Sequence, residues 1–356
     1  MFFLNEYYQN IQLLLYNVYE VNIMLILAKT ALAIMLGFIA SAITGFIAIP
    51  ILKKINVKQK INVLINKRHL KKQGTPTMGG VIFILPVLIC LALLYFRGSI
   101  VITHNLIILV MVFLSYGFIG FLDDYLKIRR TSTSGNEGLK SWQKFLLQVL
   151  VAVVFFFIYR SYGGSGDLTF SFFKWNFKLG WTYGIFILLV LVATTNAVNI
   201  TDGLDGLATG LSMFAFFSFG IIAWSTTWLD GNEEIAIFSF LLLGSLAGFL
   251  LFNSHPAKIF MGDVGSLALG GALATIAILT RHEFSLILIG GVFVIETLTS
   301  LIQIISIRRF KKKVFKKAPL HHHFEELGWE EGDIVKLFWS AGFILAMLGI
   351  IYGVWL

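Results

Sequence analysis

Asn196-Ala-Val-Asn199-Ile-Thr201-Asp202-Gly203-Leu-Asp205-Gly206 sets amides and carboxylates into a sequence that is otherwise almost pure hydrocarbon. Asn196, Asn199, Asp202 and Asp205 recur at every third residue, so on helical turns they form one polar stripe, and Gly203 and Gly206 supply the break that ends such a helix. A carboxylate in a bilayer costs roughly 2.5–3.5 kcal/mol by insertion scales and marks a functional site. The rest of the chain makes the bilayer unavoidable: of 356 residues 57% are hydrophobic and only 13% charged, and the mean hydropathy is +0.83. That composition excludes a soluble globular protein and gives an all-α polytopic membrane protein. The single cysteine, Cys90, lies in an apolar run, which excludes a disulfide and a Cys-based metal site. Residues 1–20 carry Glu6 and Glu20 and no basic stretch, so no cleavable signal peptide is expected.

Apolar runs near the bilayer-crossing length of about 20 residues predict ten transmembrane helices, near 23–49, 78–96, 105–122, 144–162, 182–199, 207–225, 235–252, 265–280, 285–307 and 335–355. The basic residues sort by side. Lys53 to Lys72, Lys127 to Lys144, Lys258, and Arg308 to Lys317 fall after odd-numbered spans, whereas the other side has only Arg97, Arg160, Lys174, Lys178 and Arg281. By the positive-inside rule the first set is cytoplasmic and both termini are periplasmic or extracellular. The net charge of +9 is then a topology signal, and no nucleic-acid partner is expected. Lys29, near the outer end of the first span, is expected to snorkel. The stretch 161–181, with a Gly-Gly-Ser-Gly turn followed by alternating aromatics, predicts a short outward hairpin. No loop is long enough for a second domain, so residues 1–356 form a single integral membrane domain and function falls to the cytoplasmic loops and inner helix ends.

Five carboxylates converge there: Asp123 and Asp124 at the end of one span, Asp202 and Asp205 after another, and Asp263 before a third. Adjacent residues on a helix point about 100° apart, so Asp123 and Asp124 are expected to divide their roles. Clustered hard oxygens suit Mg²⁺ bound together with substrate phosphate, which points to a diphosphate. Phe260-Met-Gly-Asp263-Val-Gly-Ser266 brings glycines and a helix N-terminus that suit an anion. Lys71-Lys72-Gln-Gly-Thr75-Pro-Thr77 is a basic loop and rigid turn with hydroxyls at the membrane plane. His321, His322 and His323 have no cysteine to support a zinc site and read as donors to phosphate or sugar oxygens. Glu296 and Gln303 share one helical face.

Several rare strings occur together in order: Thr75-Pro-Thr-Met-Gly-Gly80, Gly120-Phe-Leu-Asp-Asp-Tyr125, the Asn196 to Gly206 stretch, Asn253-Ser, Phe260 to Ser266, and Ala318-Pro-Leu-His-His-His323. Over about residues 50–330 the chain resembles the phospho-N-acetylmuramoyl-pentapeptide transferases (translocase I), within the polyprenyl-phosphate N-acetylhexosamine-1-phosphate transferase superfamily. The resemblance implies an Mg²⁺-dependent phosphoglycosyl transferase of the bacterial cytoplasmic (inner) membrane, with its cleft facing the cytoplasm and a homodimeric assembly. Its implied substrates are UDP-MurNAc-pentapeptide and undecaprenyl phosphate, its products lipid I and UMP, in the first membrane step of peptidoglycan synthesis. By the same resemblance Asp263 is the metal carboxylate, and Asp123 and Asp124 prepare the lipid phosphate as base or nucleophile. Asn199, Ile200, Asp205 and Phe260 resemble the uridine pocket, Phe260 by stacking. Lys72, Thr75, Lys127, Lys144, Asp202, Gln303, His321, His322 and His323 resemble the surrounding substrate-binding shell. A UDP-GlcNAc:polyprenyl-phosphate transferase is the alternative within the class, and a lipid or nucleotide-sugar transporter the alternative outside it. Clustering of the carboxylates at one membrane edge disfavours the transporter.

Overall fold

A computed structural model describes residues 2–54, 72, 74–129, 131–132, 135–136, 138–170 and 175–355, with side chains described from residue 24 onward outside 131–137, 170 and 355. It is predominantly helical. The long first helix, α1 (Phe2–Lys54), is followed by α2 (Val81–Phe96), α3 (His104–Arg129), α4 (Ser141–Ser161), α5 (Tyr183–Thr201), α6 (Leu207–Ser225), α7 (Asn232–Asn253) and α8 (Gly262–Leu279). Then come α9 (Glu283–Ile289), α10 (Gly291–Phe310), α11 (Leu320–Glu326) and α12 (Glu331–Trp355).

Among the described residues nine helices are long and apolar enough to cross a membrane by length and composition, which gives a polytopic membrane architecture. The run expected at 78–96 forms the shorter α2, of 16 residues, because Met78 takes a φ of 67° and the Gly79 and Gly80 N–H groups donate to the Phe260 and Met261 carbonyls, each at 2.9 Å. The run expected at 285–307 is two helices, broken at Gly290 between α9 and α10. The hairpin expected in 161–181 is present as antiparallel β3 (Asp167–Phe170) and β4 (Trp175–Lys178), with Phe170 opposite Trp175. A second, two-residue pairing joins β1 (Thr131–Ser132) to β2 (Gly135–Asn136).

The bundle is organised around α8, whose residues from Val264 to Leu279 are all buried. It packs against α3 and α5, while α7 is held between α1 and α6, and α12 closes over α6 and α9. Without a hydrophobic drive between helices in lipid, small residues set these contacts. A Cβ at Gly37 of α1 would lie 2.2 Å from the Leu241 carbonyl oxygen, and one at Gly244 of α7 would lie 2.0 Å from that of Ile34, so the two backbones touch. Lys29 does not simply snorkel: its ammonium forms an ion pair with Glu233 in the first turn of α7. The reason is proximity, since the same α1–α7 contact delivers an acidic partner at that depth.

Candidate active site

Two helices bring three carboxylates together. Asp123 and Asp124 lie in the last turns of α3 and are buried, while Asp263 opens α8. Gly120, one turn before Asp124, sits where a Cβ would be 2.0 Å from the Asp263 carbonyl oxygen, and Gly262 takes a φ of 73° beside Asp124 and Thr77. Glycine is required at both places, at the first by close approach and at the second by the left-handed backbone. As a result, oxygens of Asp123, Asp124 and Asp263 lie within 4.8 Å of one another. Asp123 Oδ1 accepts the Leu139 N–H at 2.6 Å and Asp124 Oδ2 accepts that of Val264 at 3.3 Å, so the two approach Asp263 from different sides and still share one volume.

Two ammonium groups occupy that volume. Lys127 Nζ is 2.7 Å from Asp123 Oδ2 and 3.0 Å from Asp263 Oδ2, and Lys144 Nζ is 2.6 Å from Asp263 Oδ2. Asn199 donates through Nδ2 to Asp263 Oδ1 and to Ser266 Oγ, both at 2.8 Å. The structure therefore places Asn199 on the Asp263 carboxylate, where it fixes the rotamer. Asp123, Lys127, Lys144, Asn199 and Asp263 line a cavity of about 510 Å³. Three hard-oxygen ligands with cationic neighbours suit a small divalent cation together with phosphate.

Asp205 belongs to a second cluster. Its carboxylate accepts Lys72 Nζ at 2.7 Å, the Ala257 N–H at 3.0 Å and faces His255 Nδ1 at 3.1 Å. Glu331, at the start of α12, accepts both Lys72 Nζ at 2.6 Å and the Asp205 N–H at 2.7 Å through one oxygen. Half-buried Asp202 lies between the clusters: burial, then the charges of Asp263, Asp124 and Asp205, hold its carboxyl well above the usual range. Ile200 is half-buried beside Asn199.

Phe260 is half-buried and held through its backbone, its N–H donating to the Pro76 carbonyl and its own carbonyl accepting from Gly79, each at 2.9 Å. Thr75 is bonded back to the Lys72 carbonyl at 3.2 Å. Thr77, two residues on, is the hydroxyl that is buried toward Gly262 and Asp124.

The histidines form a third group on α11. Glu296 of α10 takes both the His321 N–H at 3.0 Å and its Nδ1 at 2.8 Å, which answers the question of what a buried intramembrane glutamate pairs with. His321 Nε2 is packed where a Cβ on Gly203 would be 2.3 Å away, so the histidine segment abuts the polar stripe. His322 Nδ1 faces Glu325 at 2.6 Å, and burial lowers its imidazole below the ordinary value. His323 Nδ1 accepts the Lys316 N–H at 3.1 Å. The Gln303 amide is taken up by the backbone of Val314 and Phe315 at 3.0 Å, so it fastens the segment that leads to the histidines.

Comparison with known sequences now bears on this geometry. The family described as Glycosyl transferase family 4 matches residues 106–281, and the phospho-N-acetylmuramoyl-pentapeptide-transferase signature 1 matches residues 72–84. The phospho-N-acetylmuramoyl-pentapeptide-transferase of Bacillus subtilis (strain 168) is 47% identical over 323 residues, 91% of this chain and 97% of the relative. Those of Geobacillus thermodenitrificans (strain NG80-2) and Halalkalibacterium halodurans are 44% and 45% identical over 325 residues, 91% of this chain and 98% of each relative. The chain belongs to the phospho-N-acetylmuramoyl-pentapeptide-transferase family.

Within this chain, the wider family match carries all five carboxylates with Asn199 and Phe260, and the signature carries Lys72, Thr75 and Thr77. The three histidines and Gln303 lie outside both matched stretches and join the site through Glu296 and Gly203. Sequence reasoning missed Glu331 and His255. Glu331 sits in a Trp-Glu-Glu-Gly string that looks like an ordinary acidic helix start, and only the fold shows that it meets Lys72, 259 residues away.

Proposed function

We propose that the protein transfers phospho-MurNAc-pentapeptide from UDP-MurNAc-pentapeptide to undecaprenyl phosphate, giving lipid I and UMP. The observation that carries this reading is the gathering of Asp123, Asp124 and Asp263 around Lys127 and Lys144, in a chain 47% identical to a named phospho-N-acetylmuramoyl-pentapeptide-transferase. That identity also favours this donor over UDP-GlcNAc and a transferase over a transporter.

In the reaction an oxygen of the lipid phosphate attacks the sugar-bearing phosphorus of the donor. The bond between the two donor phosphates breaks, the sugar keeps its phosphate, and UMP carries away the bridging oxygen. Little covalent work falls to the protein, and rate comes from positioning and from neutralising charge on the diphosphate. Lys127 and Lys144 supply fixed positive charge against the carboxylates. Asp123 or Asp124 acts as base toward the lipid phosphate in this direct route or, in a two-step route, first attacks the sugar-bearing phosphorus itself and expels UMP, after which the lipid phosphate takes the phospho-sugar and frees the carboxylate. The donor set of Asp123, Asp124 and Asp263 fits Mg²⁺, with Asp263 as principal ligand. When bound, that ion would add Lewis-acid neutralisation of the diphosphate oxygens.

On the nucleotide side, Phe260 stacks on uracil, and Asn199, Ile200 and Asp205 form the rest of the uridine pocket. Lys72, Thr75, Asp202, Gln303, His321, His322 and His323 complete the donor contacts. We further propose ten crossings of the bacterial inner membrane by a single domain, with α2 as the tenth, both termini outward and the site facing the cytoplasm, in a homodimer. The test is UMP release by the purified protein with undecaprenyl phosphate and each of UDP-MurNAc-pentapeptide and UDP-GlcNAc, with and without Mg²⁺. Mg²⁺-dependent release from the first donor alone is expected, and release from UDP-GlcNAc alone would overturn the reading.

A further inference from the structure

The site cavity extends past the charged centre. Beyond Asp263, Lys127 and Lys144 its wall includes Phe145, Gln148 and Asn196. Gln148 lies one helical turn beyond Lys144 on α4, in a segment apolar enough to be within the bilayer. It is 1% exposed. Its amide is oriented by its neighbour: Asn196 Nδ2 donates to Gln148 Oε1 at 2.8 Å and also to the Val192 carbonyl at 2.8 Å. That leaves the Gln148 Nε2, with two N–H donors, enclosed and without a hydrogen-bond partner. Buried amide donors are ordinarily satisfied, and one left open at the edge of a cavity calls for an acceptor-rich ligand.

Two further observations choose the ligand. Of the nucleotide-side groups among the described residues, Lys72, Asp205 and Phe260 are not part of this cavity wall, and Asn199 is in it with its amide turned to Asp263. Phe145 is in the wall and is also 53% exposed, one turn after the exposed Trp142 on the outer surface of α4, so the cavity reaches the lipid-facing side of the bundle. A group entering there comes from the bilayer, and its polar part must meet Lys144 and Gln148 together. A phosphate monoester on an apolar chain has that chemistry. We propose that Gln148 binds the acceptor, its side-chain N–H groups donating to a phosphate oxygen of the polyprenyl phosphate as it enters past Phe145. This rests on the transferase reading above.

The experiment varies the two substrates separately for wild type, Gln148→Glu and Gln148→Leu, and measures the melting shift that undecaprenyl phosphate alone induces in each. The first variant keeps an oxygen for Asn196 while replacing the donors with an anion, and the second is an apolar near-isostere. The expected result is a KM for undecaprenyl phosphate raised roughly tenfold or more in Gln148→Glu and severalfold in Gln148→Leu. The KM for the UDP-sugar should stay within about twofold, and the lipid-induced melting shift should be lost in Gln148→Glu. A raised donor KM with the lipid KM unchanged would place the amide on the nucleotide sugar and overturn the proposal. Unchanged values for both would show that a buried water satisfies the amide, and would overturn it too. If wild type releases no UMP, the transferase reading fails, and the lipid-induced melting shift still decides the Gln148 subsite.

Discussion

Gly120 on α3 and Asp263 on α8 are in backbone contact: a methyl group at 120 would lie 2.0 Å from the Asp263 carbonyl oxygen. This contact sets the separation of the carboxylates, because Asp123 and Asp124 follow Gly120 by one turn. Gly120→Ala must push α3 and α8 apart, and overpacking of this kind costs about 1–3 kcal/mol. The variant is expected to melt lower than wild type, and its kcat is expected to fall further than either KM rises. Initial-rate kinetics beside a detergent melt check both.

Lys144 stands 2.6 Å from Asp263 Oδ2 and 3.8 Å from Asp123 Oδ2. Lys144→Met keeps most of the apolar stem and removes the cation, leaving the three carboxylates with Lys127 alone. Turnover is expected to fall about 100-fold, with less effect on the donor KM. Single-turnover measurement of UMP formation at saturating substrates separates the two.

Glu331 joins the N-terminus of α12 to Lys72 and to the Asp205 backbone. Glu331→Gln keeps an oxygen for the Asp205 N–H but loses the charge that holds Lys72. Through those two groups it acts on the nucleotide side, so the KM for the UDP-sugar is expected to shift severalfold while the KM for undecaprenyl phosphate stays put. Combined with Lys72→Met it should add little further, since both changes break the Lys72–Glu331 ion pair.

Asp202 gives a pH dependence of stability. Its carboxyl is held well above the ordinary value of 3.8 by burial and by Asp263, Asp124 and Asp205. The folded state therefore binds this proton more tightly than the unfolded chain. The stabilisation is complete below about 3.8 and is lost as pH rises toward and through the folded-state pKa. Asp202→Asn mimics the protonated group and is free of this loss. Its melting temperature relative to wild type should accordingly rise with pH above that value, and detergent melts of the metal-free protein in a pH series measure it.

Most of the helical plan was legible from hydropathy, because a bilayer demands long apolar runs and the chain has few other residues between them. The exceptions have local causes. The glycines at 79 and 80 spend their backbone on Phe260 and Met261 and shorten α2, and Gly290 divides the run expected at 285–307. In the site, types were legible and pairings were not. Asp263, Asp123 and Asp124 stood out as carboxylates against hydrocarbon, yet nothing in the spacing says that Asn199 bonds Asp263 while Asp205 bonds Lys72 and His255. Those partners come from separate elements, and such contacts follow from packing alone. Gln148 carried no motif, and its open donors appear only once α4 and α5 are side by side.

Asp263 is the carboxylate around which the proposed transfer takes place, and the rate of UMP release by Asp263→Ala tests this role most directly. The variant should remain folded, with an unchanged helical spectrum in detergent, and its rate with undecaprenyl phosphate, UDP-MurNAc-pentapeptide and Mg²⁺ should fall by about 100-fold or more. A folded Asp263→Ala protein that keeps a rate within about tenfold of wild type would contradict it.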